Sequence, residues 1–164
     1  MVPAPASQAP PRAACPELHL PPPLPGIVAA VGEDELRWLC LRLAEALQAG
    51  PLAAVWRLEV DEFSDLAGEL AELVVHGLAG RQRQRAVIAW VRLWGRHGPL
   101  ALDEGQRQSW LGLWSGQLQR VPLPAYLARP LERWMEALTA QWVQPGAATV
   151  LAFEIIGSHA LDIA

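Results

Sequence analysis

The feature that most constrains this chain is the spacing of its apolar residues, which fall at helical intervals in one segment after another, each closed by glycine or proline. Leu36, Leu39, Cys40, Leu43 and Leu47 follow the i, i+3, i+4, i+7 pattern of one helix face, and Gly50-Pro51 stops it. After an apolar link through Val55 and Trp56, a segment from Asp61 repeats the pattern with Phe63, Leu66, Leu70, Leu73 and Val74. Its first turn holds acids, where the helix dipole favours them, and Gly77 and Gly80 close it. The polar stretch Arg81 to Arg85 leads to a third segment with Val87, Ile88, Val91 and Trp94 as its apolar positions, ended by Gly95 and Gly98-Pro99. A fourth starts at Asp103, a side chain suited to capping free amides, and places Trp110, Leu113, Trp114 and Leu118 inward before Pro122. The fifth opens after Pro124, or as late as Pro130, and carries Leu127, Leu131, Trp134, Leu138 and Trp142 up to Pro145-Gly146. An all-α fold follows, with Trp38, Trp134 and Trp142 assigned to its core.

The ends read differently. Nine of the fifteen prolines lie in the first 25 residues, where they remove amide donors and favour an extended polyproline conformation. Residues 1–30 are expected to form a proline-rich leader outside any packed element, residues 31–145 the helical domain, and residues 146–164 an apolar tail. The tail is richest in apolar side chains from Val150 to Ile156, and its pattern admits a strand or a short helix.

At 164 residues the chain has material for one domain. Thirteen basic against seventeen acidic residues give a net charge of -4, without the positive balance that phosphate contacts require, so nucleic acid is not an expected partner. The same balance, and the lack of a basic recognition helix, argue against a helix-turn-helix regulator. The apolar runs fall short of the ~20 residues of a membrane span, and no signal-peptide core precedes the first helix. A cytoplasmic location is expected. Every basic residue is Arg, which excludes lysine Schiff-base chemistry and supplies planar donors for carboxylates. Cys15 and Cys40 make neither a metal-ligand spacing nor a disulfide framework.

No Ser-His-Asp set, phosphate loop or carboxylate cluster stands out, so no enzyme class is assigned. Of the four histidines, His19 and His159 lie toward the ends, leaving His76 and His97 in the helical body. His97 follows an Arg, ends an apolar segment and precedes Gly98-Pro99, so its ring is either a turn histidine at the surface or a ligand held at a fixed angle.

The run from Arg92 to Leu102, with Arg96-His97-Gly98-Pro99-Leu100 at its centre and Trp110 thirteen positions beyond His97, resembles the proximal region of the truncated, two-over-two globins, group II in particular. The likeness extends over about residues 33–144 in helix order. It implies a globin-like two-over-two helical sandwich holding haem b (iron protoporphyrin), with His97 as the proximal iron ligand. Arg96 and Arg92 would bind the propionates by charge-assisted hydrogen bonds. Leu100, Trp56, Leu70, Val74, Leu43 and Ala44 would line the slot, with the indole N–H of Trp110 as distal donor. The resemblance also implies a diatomic gas ligand (oxygen, nitric oxide or carbon monoxide) and a reductase as partner.

The chain departs from that family on the distal side. Leu43-Ala44 stand where a Phe-Tyr pair is usual, the Gly-Gly turn is reduced to Ala79-Gly80, and His76 falls toward the periphery. A second reading therefore stands beside the first: a haem-less globin-fold module acting in protein–protein interaction through its tails or an exposed Trp surface.

Overall fold

The computed structural model describes residues 15, 17–56, 63–97 and 102–143, without the side chains of 55, 56, 63, 64, 96 and 97. Among the described residues there are seven helices and no strand: α1 (Pro25–Val31), α2 (Glu33–Ala49), α3 (Leu52–Trp56), α4 (Phe63–Ala79), α5 (Arg83–His97), α6 (Glu104–Leu118) and α7 (Ala125–Ala140). None of these helices is long and apolar enough to cross a membrane. The long apolar segments expected from the sequence correspond to α2, α4, α5, α6 and α7.

The α4 helix is the centre of the body. It packs along α2 on one side and α5 on the other, while α6 packs on α2 and α7. Its inner residues Leu66, Leu70, Leu73, Val74 and Leu78 are all buried, as are Leu36, Leu39, Cys40, Leu43 and Leu47 of α2, so both stripes read from periodicity face the core. Burial pushes the Cys40 thiol up to about 12. The start of α6 is set by a capping box: the Asp103 carboxylate accepts from the Gln106 amide at 2.7 Å, and the Gln106 side chain accepts from the Asp103 amide at 3.0 Å. That start is held to the end of α7, where the Leu102 amide donates to the Trp142 carbonyl at 3.1 Å.

Three placements differ from the sequence expectation. Residues 17–30 do not stay outside the packed body; the remainder of the leader, residues 1–14 and 16, lies outside the described residues. Pro25 takes the first turn of α1, where a missing N–H costs nothing, and Ile27 and Val28 are buried. Ahead of α1, a strap of residues 17–24 lies along the C-terminal end of α4. The Leu24 amide donates to the Leu78 carbonyl at 2.7 Å, Arg83 donates to the Leu20 carbonyl, and the Gln141 side chain both accepts from the His19 amide and donates to its carbonyl. Gly80, at φ +70°, lets Pro23 come close: a Cβ there would stand 2.7 Å from the Pro23 ring.

The second difference is Trp38, which is 43% exposed and not a core residue; it lies off the inward stripe of α2, with the Arg42 guanidinium 5.5 Å from its ring centroid. The third is the register of α5. Trp94 is buried as expected, but Val87, Ile88 and Val91 are 40%, 43% and 51% exposed, and the helix buries Ala86, Ala89, Trp90 and Leu93 in their place. Trp90 and Leu93 lie on the same side of the helix as Trp94, and burying them with that indole turns Val87, Ile88 and Val91 outward.

Candidate functional site

The residues assigned to a porphyrin slot can be followed one by one. The slot would lie between the helix bearing Leu70 and Val74 and the segment ending at His97, which are α4 and α5, and these two helices pack directly on one another. A side chain bordering an open slot keeps surface that a water molecule can touch. Leu43, Ala44, Val74 and Trp110 keep 0%, and Leu70 keeps 1%. They are brought together as close-packed core.

The tryptophans fill the neighbouring space. Trp142 stacks on Trp90 at 5.8 Å with the planes 13° apart, and Trp110 meets Trp142 edge-on at 5.3 Å. Trp94 adds a tilted contact to Trp90 at 5.6 Å. Each such pair contributes about 0.5–1.5 kcal/mol beyond its buried area. Arg92 is turned outward, 61% exposed, with the Glu69 carboxylate 3.5 Å away. His97 ends α5, but its side chain and those of Arg96 and Trp56, with Leu100 as a whole, lie outside what is described. Among the described slot residues the side chains of Leu43, Ala44, Leu70, Val74 and Trp110 leave no opening at their own positions, while the assigned iron ligand lies outside them.

The outer side of the same three helices has a different character. Glu72, on α4, gathers three cationic or basic groups: Arg37 of α2 at 2.8 Å, Arg85 of α5 at 3.0 Å, and His76 one turn along α4 at 3.1 Å. Partial burial pushes the Glu72 carboxyl upward. The hydrogen bond and charge of Arg37, with His76 and Arg85, outweigh that and hold it below the usual carboxylate range. His76, expected at the periphery, is buried and serves this cluster. The Glu72–His76 spacing of four was visible in the sequence; the arginines, 35 and 13 positions away from Glu72, are brought in by packing alone.

Beside the cluster, Glu69, Glu72, Arg85, Ile88, Ala89 and Arg92 line a cleft of about 190 Å³ between α4 and α5. Apolar side chains flank this charged line on both helices that border α4: Trp38 and Leu41 on α2, and Val87, Ile88 and Val91 on α5, all at least 39% exposed. Such a surface can bind an amphipathic segment, with apolar contact supplying affinity and the ion line fixing register. Comparison with known proteins finds no family model, no curated protein and no solved structure that matches the chain.

Proposed function

We propose that this chain is a haem-free, globin-like helical module that binds an amphipathic protein segment on the outer face of α2, α4 and α5. The observation that carries the reading is the loss of all water-accessible surface at Leu43, Ala44, Val74 and Trp110, where a porphyrin would have to sit. The two-over-two arrangement belongs to the same proposal, with α2 and α4 as one pair and α6 and α7 as the other. The packing of α2 on α6, and the close approach of Trp134 of α7 to Gly77 of α4, support it. On this reading α5 lies where the family holds its cofactor.

Absorbance tests the proposal. Protein expressed with haem supplied in excess should show no Soret band above that of the His97→Ala variant. A strong Soret band in the wild type that the variant lacks would restore His97 as an iron ligand and remove the module reading.

A further inference from the structure

We infer that the outer face of α5 is a docking site for the chain's own C-terminal segment, residues 144–164, seated through Val150 to Ile156. Three observations lead there. Val87 and Val91 lie one turn apart and Ile88 adjoins them, so α5 presents a contiguous aliphatic strip to water, at 40% to 51% exposure. The described chain ends beside that helix: Trp142 stacks on Trp90 of α5, and residue 143 is bridged to Leu102. Six residues lie between position 143 and Val150, and the seven steps span at most about 24 Å, more than the roughly 16–19 Å of half the circumference of a helix about 10–12 Å across.

The chemistry of the two surfaces is complementary. Residues 150–156 read Val-Leu-Ala-Phe-Glu-Ile-Ile, six apolar side chains about one acid, and residues 144–164 hold Glu154 and Asp162 but no Arg or Lys. Helix α5 and its approach hold five arginines from Arg81 to Arg96 and no acid. An apolar, acidic segment therefore meets an apolar, basic helix, with Glu154 as the partner for Arg92, which is largely exposed. This deepens the proposal of an amphipathic ligand for that face, because the segment would hold the α5 half of it until a stronger ligand displaced it.

A spin label tests this on the full-length chain. In a Cys15→Ser background, where Cys40 is buried, a nitroxide is attached at Phe153→Cys and the methyl signals of Val87, Ile88 and Val91 are recorded. These methyls should lose most of their intensity, unchanged on dilution with unlabelled protein, and recover when Glu154 and Ile155 are replaced by Lys and Asp. Unaffected methyls would overturn the inference. Broadening that fades on dilution would overturn it too, since the occupant would then be a second copy. Neither outcome bears on the Soret measurement, so this inference can fail while the haem-free module stands.

Discussion

Gly77 owes its identity to Trp134. A Cβ at that position would stand 2.8 Å and 3.0 Å from two carbons of the indole and 3.4 Å from Leu20, so α4, α7 and the strap converge on a hydrogen atom. Two effects oppose each other in Gly77→Ala: alanine's helix preference favours the change by up to about 1 kcal/mol, and forcing a methyl against a buried ring costs about 1–3 kcal/mol. Trp134 is a buried ring, only 4% exposed, that must shift to admit the methyl, so the variant should be destabilised overall. Gly68, on the same helix with nothing within 4 Å, provides the contrast. Gly68→Ala should stabilise by about 0.5–1 kcal/mol. Urea unfolding midpoints read both, and a shift in the same direction for the two would refute the close-packing argument.

At the level of elements, periodicity revealed the long helices because a stripe of leucines has one stable orientation against a core. It located the inward residues of α2, α4, α6 and α7, and the cap of α6 was legible from Asp103 alone. Replacing Asp103 by Ala should lower stability by about 1 kcal/mol, whereas Glu104→Ala at the next, exposed position should change it little; equal losses would show that the capping box contributes nothing. What the sequence concealed has a physical cause in each case. On α5 the count of apolar positions joined Val87, Ile88 and Val91 to Trp94, yet the helix buries Trp90 and Leu93 beside that indole, which rotates its inward face. The prolines before residue 25 hid α1, although Pro25 is at home in a first helical turn. The short link at Leu52–Trp56 is itself helical. The slot residues were chosen by resemblance, and whether helices part or close around them is settled by packing that no local pattern encodes.

For the molecule as a whole, Glu72 fastens α2, α4 and α5 across their outer surface, so its ionisation belongs to the stability of the entire layer. Its carboxyl pKa is lower folded than unfolded. The stabilisation is therefore complete above the unfolded value of about 4.3 and drains away as pH falls through the lower folded value. With a quarter of the side chain exposed, solvent screening keeps the contribution modest. Urea midpoints taken at steps below pH 5 should fall more steeply for the wild type than for Glu72→Gln, and parallel curves would remove the carboxylate from that role.

The grip of Gln141 on His19 has a topological meaning. One side-chain amide occupies both backbone groups of a residue 122 positions earlier, as a neighbouring strand would, and so closes the body into something near a ring. Joining sites so far apart is costly in loop entropy but, once made, the closure is shared by everything inside it. Fraying at either extremity of this circuit would loosen the other, and the two would be expected to open as one.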